Sequence, residues 1–314
     1  MFRRVLSFAT AVLIGFPALA GTARHHREHT FSFKAGGTLE VRAAFHDVRI
    51  TLDRAATTVK VVVEAELTTS SGDAEKALEP FEPVFEESGG TLRVRCRPSA
   101  SLPFGFRNSH GLVQVTAPPG MDLAVGTGSG DVLLSGSDPG ASLNFDSGSG
   151  NIRVEVVCRV FTARTGSGNV HACLEAEAER IRLATGSGDI DLRAGAREVK
   201  AQSGAGNIRA EGLMGQAAFE TGSGDIEASW SNAPGDLSIR VKSASGNLRL
   251  VFPAGTPLRG ELRSHAGRIQ SDFPGTLDDR RHRFSLLGNP PAAELSAESG
   301  SGDLSLRAAS PGGV

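Results

Sequence analysis

The sequence of 314 residues contains no tyrosine, one tryptophan (Trp230) and three cysteines, Cys96, Cys158 and Cys173. Flat aromatic rings usually line sugar-binding sites, so their scarcity disfavours a polysaccharide-cleaving enzyme. Three cysteines are too few for a disulfide scaffold, and an odd number leaves at least one thiol unpaired within the chain. Their spacing predicts that no disulfide forms.

Positive charge and long apolar runs are also scarce beyond the first 20 residues. Residues 1–20 combine two arginines, an apolar stretch at 5–16 and a small-residue cleavage site ending at Ala20, which predicts a signal peptide. Residues 21–314 contain 31 basic and 35 acidic residues, so nucleic-acid binding is not expected. They contain no second apolar run of membrane-spanning length. The sequence predicts an exported protein, periplasmic or at the cell surface, without a transmembrane segment in the mature chain.

Glycine, by contrast, is abundant, with 39 residues. The stretch Thr-Gly-Ser-Gly-Asp-Ile at 185–190 recurs in nine near-copies, 18 to 22 residues apart except for a final interval of 35. The second glycine of the motif is Gly130, Gly150, Gly168, Gly188, Gly206, Gly224, Gly246, Gly267 and Gly302. A repeat of this length predicts a stack of similar units, each contacting mainly its neighbours.

Apolar residues alternate around each glycine. The position two residues after it is always aliphatic: Val132, Ile152, Val170, Ile190, Ile208, Ile226, Leu248, Ile269 and Leu304. The position five residues before it is also apolar: Val125, Phe145, Ala163, Leu183, Ala201, Phe219, Val241, Leu262 and Ala297. Each copy therefore predicts a short strand, a glycine turn and a second short strand, with alternate side chains directed inward.

Two polar positions are repeated as well. Three residues before the glycine, Ser or Thr occurs in every copy, which predicts a buried ladder of hydroxyls satisfied by neighbouring rungs. The residue after the glycine is Asp or Asn in eight copies and Arg268 in the ninth. Asp and Asn suit turns because they bond nearby backbone and tolerate left-handed geometry.

The chain before the regular copies predicts a β-rich segment and cap at 21–120. Asp47-Val48-Arg49-Ile50 is a degenerate first copy, with His46 at the glycine position. A short helix is expected at 72–78, ended by Pro80, and a hairpin at 84–97. The histidine-rich start at 24–29 predicts a solvated, frayed terminus rather than a metal site.

The repeats, the entry Val113–Pro118 and the late run Gly267–Pro274 resemble a bacterial β-strand-repeat family of unknown function. That family is similar to the head domains of autotransporter adhesins, and the resemblance covers roughly residues 38 to 308. It implies an exported β-helix and supplies no catalytic residues. The even spacing fails between Gly267 and Gly302, which leaves the pairing of the last rung open.

Calcium binding is the first alternative, because calcium β-rolls also repeat glycine and aspartate. The longer period, and the amides interspersed among the carboxylates, favour turn formation instead. A polysaccharide-active β-helix enzyme is the second alternative. It would need two carboxylates at a fixed separation, and none of the repeated acids forms a distinguished pair.

The sequence thus predicts an all-β parallel β-helix or β-solenoid, with rungs of 18 to 22 residues at 121–308 and a disordered tail at 309–314. It predicts a non-catalytic envelope scaffold or adhesin-like binding surface, without cofactor or metal. The partner is expected to be an envelope protein or a glycan. Departures from the repeat mark the expected contact surface: His265, Arg268, Asp278, Asp279, Arg280, Arg281 and Arg283.

Overall fold

The structure, a computed structural model, describes residues 21–32, 36–69, 74–96, 106–136 and 142–309, with only the backbone at 106–108. The predicted signal peptide and residues 310–314 of the predicted tail lie outside these ranges. The chain divides into two compact units: unit 1 up to Val156 and unit 2 from Val157. The predicted domain boundary after residue 120 stays a prediction.

Unit 1 contains two sheets. Sheet 1A has the spatial order β1 (Thr22–Phe31), β4 (Val59–Thr69), β7 (Phe106–Ala117), β3 (His46–Leu52), β9 (Val132–Gly136), β11 (Ile152–Val156). Sheet 1B has the order β5 (Val84–Ser88), β6 (Thr91–Cys96), β2 (Thr38–Ala43), β8 (Asp122–Thr127), β10 (Ser142–Ser147). Strands β1, β4 and β5 pair antiparallel with their neighbours, and the other described pairs are parallel.

A rung is one strand of each sheet and the turn that joins them. The predicted degenerate copy is confirmed as the rung β2–β3, because Val48 pairs in parallel with Val132 of the next rung. The hairpin β5–β6 is confirmed as well. Strands β6 and β7 form a further rung that the sequence did not indicate, since Gly111 pairs with His46 at the glycine position. This rung lies outside β2–β3, although it comes later in the chain.

Of two predictions for the start of unit 1, one is confirmed and one is wrong. The helix α1 (Ala74–Leu78) ends before Pro80, as predicted, and Pro80 lies in the 3-10 turn Glu79–Phe81 that follows; Gly72 and Asp73 lie outside the described ranges. Proline is tolerated there because the first residues of a helical turn need no N–H bond. The histidine-rich start is not frayed: it forms β1, whose alternate residues Ala23 and His25 are buried.

Unit 2 also contains two sheets of mostly parallel strands. Sheet 2A has the spatial order β13 (Val170–Leu174), β15 (Ile190–Arg193), β17 (Ile208–Leu213), β19 (Ile226–Trp230), β21 (Leu248–Pro253), β27 (Leu304–Ala309), β23 (Ile269–Ser271). Sheet 2B has the order β12 (Val160–Thr165), β14 (Ala178–Thr185), β16 (Ala196–Ser203), β18 (Gln216–Thr221), β20 (Ser238–Ser243), β26 (Ala293–Ser299), β22 (Leu258–Ser264), β25 (Arg283–Leu287), β24 (Gly275–Leu277). The described pairs are parallel except those of β25.

The last rung in the chain is not the last in space. Strands β26–β27 lie between the rungs β20–β21 and β22–β23, with Ser299 opposite both Ser243 and Ser264. The long final interval in the sequence arises here. The chain passes through β24 and β25, which border β22 in antiparallel pairing, before it returns to insert the rung of Gly302.

The inward positions form the core of each unit. Both predicted apolar columns are buried, except that Ile269 in the terminal strand β23 is half-buried. In unit 2, Trp230 stacks on Phe252 with ring centroids 4.3 Å apart. The fold is therefore the predicted β-solenoid. The helices in the described ranges are too short or too polar to cross a membrane.

Candidate functional site

The inward hydroxyl of each rung has two backbone partners. Thr185 Oγ1 donates to the Gly168 carbonyl of the preceding rung at 2.8 Å and accepts the Gly188 N–H at 3.0 Å. Both kinds of bond recur at Thr127, Ser147, Ser203, Thr221, Ser243, Ser264 and Ser299. The predicted ladder is confirmed, with backbone carbonyls rather than other hydroxyls as acceptors. Its polar atoms serve the stacking of rungs.

The motif glycines are required by the close approach of successive rungs. A Cβ on Gly188 would lie 2.0 Å from the Gly168 carbonyl oxygen, which no real Cβ can do. Left-handed backbone is not the reason, because Gly188 has no positive φ. Outside glycine, positive φ occurs in the described ranges only at Asp236 and Arg281, so the expectation of left-handed Asp and Asn in the motif is wrong.

The Asp and Asn residues after the glycines form a second ladder, which is exposed. Asp189 Oδ1 accepts the Asn207 N–H of the next rung at 2.7 Å, and Asn207 Oδ1 accepts the Asp225 N–H at 2.9 Å. Asp and Asn are interchangeable here because the bond uses only Oδ1. Arg268 interrupts the pattern in the spatially last rung, where no further motif N–H needs an acceptor.

The residues predicted to contact a partner lie at the end of unit 2, and we call them the terminal surface. They are His265, Arg268, Asp278, Asp279, Arg280, Arg281 and Arg283. All seven are exposed. The terminal surface thus gathers the main departures from the repeat at the outermost rung and at the turn between β24 and β25.

Asp278 organises this turn. Its Oδ1 accepts the N–H groups of Arg283 at 3.0 Å and His282 at 2.8 Å, and these bonds hold the pKa of the Asp278 carboxyl below its usual range. The turn is attached to β22, because the Ser264 N–H donates to the His282 carbonyl at 3.0 Å. Since His265 follows Ser264, the structure brings His265 beside the turn.

The arginines of the terminal surface differ in their partners. Arg283 forms an ion pair with Glu261. Arg268, Arg280 and Arg281 form no ion pair with a carboxylate in the part of the chain described, and no hydrogen bond there joins Arg268 to the turn. Three exposed cations at this end therefore remain available to an external anion.

Unit 1 also has an open surface groove of about 560 Å³. The groove lies over Gly126, which has no side chain to fill the space between Arg42 and Asp146. The Arg42 guanidinium lies over Gly126, since a Cβ there would be 2.5 Å from Nη1, and Arg42 is paired with Glu40 at 3.1 Å. The groove presents no arrangement of nucleophile and base.

Two buried histidines in unit 1 were missed by the sequence reasoning. His46 is fully buried and His25 is 9% exposed, and all four ring nitrogens lack a hydrogen-bond partner in the described ranges. Burial lowers the pKa of His46 to about 4 and also lowers that of His25. Burial likewise raises the pKa of the Cys96 thiol to about 12. No group of three His, Cys, Asp or Glu side chains within the described ranges is arranged to hold a metal.

Comparison with known protein families shows to which family the chain belongs. The Toastrack DUF4097 family profile matches residues 37–270, about three-quarters of the chain. The chain belongs to the Toastrack DUF4097 family. This family has no known function, and its match covers the rungs from β2–β3 up to β22–β23, apart from the late inserted rung.

Solved structures give weaker similarities to this Toastrack chain. A "putative adhesin" from Bacteroides fragilis is 14% identical with a TM-score of 0.46, covering 73% of this chain and 97% of that one. A "putative adhesin" from Parabacteroides distasonis is 11% identical with a TM-score of 0.44, covering 89% and 97%. A "putative lipid binding protein" from the same species is 14% identical with a TM-score of 0.41, covering 91% and 97%. No curated protein sequence matches the chain.

Proposed function

We propose that the protein is an exported, non-catalytic β-solenoid that binds a partner in the bacterial envelope through the terminal surface. The observation that carries this proposal is the contrast between the repeated residues and the exceptions. The repeated hydroxyls and Asp or Asn oxygens bond the backbone of neighbouring rungs. The exceptions are exposed at one end of unit 2, where three arginines form no ion pair within the described ranges.

The chemistry of the terminal surface favours an anionic partner. An exposed arginine attracts carboxylate or phosphate groups, and guanidinium groups bind them in a forked geometry. The turn that carries Arg280 and Arg281 is held by the bonds to Asp278, so less conformational entropy is lost on binding. The attraction between exposed charges is screened by salt, so capture should weaken as ionic strength rises.

The test compares two charge-reversal variants in capture from envelope fractions and on acidic glycan arrays. The double variant Arg280→Glu with Arg281→Glu should reduce the amount of captured partner at least tenfold. The matched control is Arg49→Glu with Arg54→Glu, two exposed arginines of unit 1 that also lack an ion pair in the described ranges. Both variants change the net charge equally, so only a specific terminal surface distinguishes them.

A photo-crosslinker at position 280 separates the two predicted partner classes. A defined protein adduct identifies an envelope protein, whereas binding confined to the glycan array identifies a polysaccharide. Equal capture by the terminal variant and the control variant removes the terminal surface from the proposal. Release of new sugar ends from a bound glycan would instead support the enzyme alternative.

A further inference from the structure

His25 and His46 lie in one line across four neighbouring strands of sheet 1A. His25 pairs with Ala65, Ala65 with Gly111, and Gly111 with His46. His25, Ala65 and His46 are buried, so this row faces the interior. Two small residues thus separate the two imidazoles, and they leave room above the sheet for both rings.

The small residues are needed to admit the His46 ring. A Cβ on Gly111 would lie 2.4 Å from His46 Cδ2, so the ring occupies the space over Gly111. Phe45 stacks on His46 with centroids 4.5 Å apart, and Phe81 meets Phe45 edge-on at 4.8 Å. Phe81 ends the helical segment Ala74–Phe81, which therefore covers the ring stack.

The same helical segment closes the apolar interior next to this row. Ala74, Leu78 and Phe81 form one cluster with Ala23, Ala65 and Leu67 of β1 and β4. A bidentate ion pair ties β1 to the end of the segment, because Arg27 donates to Glu82 at 2.8 and 3.1 Å. The apolar cluster and the Arg27–Glu82 ion pair both hold the segment against sheet 1A.

Charged and titratable groups around the histidines give little help to an imidazolium. His25 Nδ1 lies 3.5 Å from Glu82 Oε1, but Arg27 and His26 on the same strand oppose a positive charge on His25. At His46, the charges of His25 and His110 also disfavour a positive charge on the imidazole ring. Cys96 of β6 is a buried thiol, held neutral by burial and by Glu82. On the segment itself, Glu75, Lys76 and Glu79 are exposed.

We propose that the helical segment Ala74–Phe81 is an acid-released cap, which lifts from sheet 1A when His25 and His46 take up protons. A buried His46 imidazolium without a hydrogen-bond partner must be hydrated, and lifting the segment that covers its ring stack would admit water. The open state exposes the apolar faces of Leu67, Leu78 and Phe81. It creates an apolar surface in unit 1 that exists only under acidic conditions.

The pH range follows from the direction of the shift. His46 has a pKa of about 4 in the closed state, against 6.5 for an accessible histidine. The closed state is the one with the segment in place on sheet 1A. Its free-energy advantage over the open state is therefore complete above pH 6.5 and decreases as the pH falls towards 4. Between these values, the open fraction should rise on the order of a hundredfold for His46 alone. His25, whose pKa is shifted in the same direction, adds to this change.

Hydrogen exchange detected by mass spectrometry tests the proposal on the full chain at pH 7.5, 5.5 and 4.5. After correction for intrinsic rates, amides of residues 74–82 should lose protection on acidification, together with those of β1. Trp230 is the only tryptophan and belongs to unit 2, so its constant emission over the same range shows that unit 2 stays folded, and retained protection of β3 and β9 shows the same for unit 1.

Three variants make the test specific. His46→Phe keeps the ring stack and removes the titration, so the acid response should shrink at least tenfold. His25→Phe serves the same purpose if His46→Phe does not fold. Glu82→Gln should move the midpoint to higher pH, because Glu82 raises the pKa of His25 in the closed state and pairs with Arg27 to hold the segment.

His171 of unit 2 supplies the control, since His171→Gln should leave the response of unit 1 unchanged. Uniform protection of residues 74–82 from pH 7.5 to 4.5 would overturn the proposal. An unaltered acid response in both His25→Phe and His46→Phe would overturn it equally.

Discussion

Each repeated polar residue is bonded to the backbone of a neighbouring rung, so a single substitution affects two rungs. Thr185 is the example: its hydroxyl joins the Gly168 carbonyl to the Gly188 N–H, and both groups are buried. A buried backbone group that loses its partner costs about 1 to 3 kcal/mol. Repetition at this position is therefore explained by stability alone and needs no catalytic role.

The motif glycine should tolerate no side chain. Gly188→Ala places a methyl group 2.0 Å from the Gly168 oxygen and forces the rungs apart, so we expect a loss of about 3 kcal/mol. Ser187→Ala is the control, because Ser187 is exposed in the same turn and should change stability by less than about 0.5 kcal/mol. Urea unfolding of both variants measures the difference. Equal midpoints would contradict the close-approach explanation.

The exposed Asp and Asn ladder should contribute less per rung. Asp189→Ala removes the acceptor of the Asn207 N–H and should cost about 1 kcal/mol, whereas Asp189→Asn keeps Oδ1 and should be nearly neutral. Arg268→Ala should also be nearly neutral, since its side chain caps no further rung. Thermal melts of the three variants check this order. A loss for Arg268→Ala as large as that for Asp189→Ala would refute the positional argument.

Among the elements, the rungs at both ends of the chain are stacked out of sequence order. Strands β6–β7 lie outside β2–β3 in unit 1, and β26–β27 lie inside β22–β23 in unit 2. In each unit the irregular elements then pair antiparallel at the outer edge, as β5 does with β6 and β25 with β22. Antiparallel edges interrupt the regular stack, which protects its ends from uncontrolled strand addition.

Engineered disulfides can verify the inserted rung. Lys242 and Glu298 are direct partners on β20 and β26, about 4.8 Å apart, so Lys242→Cys with Glu298→Cys should oxidise readily. Lys242→Cys with Arg263→Cys should not, because two strand spacings exceed the reach of a disulfide. Peptide mapping of the oxidised proteins identifies the bridges. The reverse result would show that the rungs stack in sequence order.

For the whole molecule, charge is distributed differently along the repeats and at their end. Cross-strand ion pairs occur along the sheets, for example Arg180 with Glu198 at 3.0 Å and Arg249 with Glu227 at 3.4 Å. Exposed pairs of this kind contribute little stability, and other exposed arginines on the sheets, such as Arg49 and Arg240, form no ion pair in the described ranges. The terminal surface differs because two arginines without an ion pair in the described ranges, Arg280 and Arg281, follow each other in one turn.

Calcium should leave the stability of the whole molecule unchanged. Each described Asp of the ladder already accepts a backbone N–H through Oδ1, as Asp225 does from Asn247 at 2.7 Å. A cation that bound only the native state would raise the melting temperature by mass action. Melting curves with chelator and with millimolar Ca²⁺ should therefore coincide. A rise of several degrees with Ca²⁺ would favour the β-roll alternative.

The sequence by itself determined the repeated unit. The positions of Gly188 and Ile190 relative to Thr185 recur in each copy, because strand alternation and turn geometry depend on residues close together in the chain. The two inward columns and the hydroxyl ladder followed directly. Even the degenerate copy at His46 was recognisable, since its strand Val48–Ile50 keeps the alternation.

Only the tertiary structure decided which rung lies beside which and what the irregular segments cover. Rungs with the same inward pattern are almost equivalent as neighbours, so the sequence could not place the Gly302 rung between those of Gly246 and Gly267. The burial of His25 and the rung that contains Gly111 could not be predicted from the sequence for a related reason. Both depend on pairing between strands far apart in the chain, and such pairing leaves no local periodicity to read.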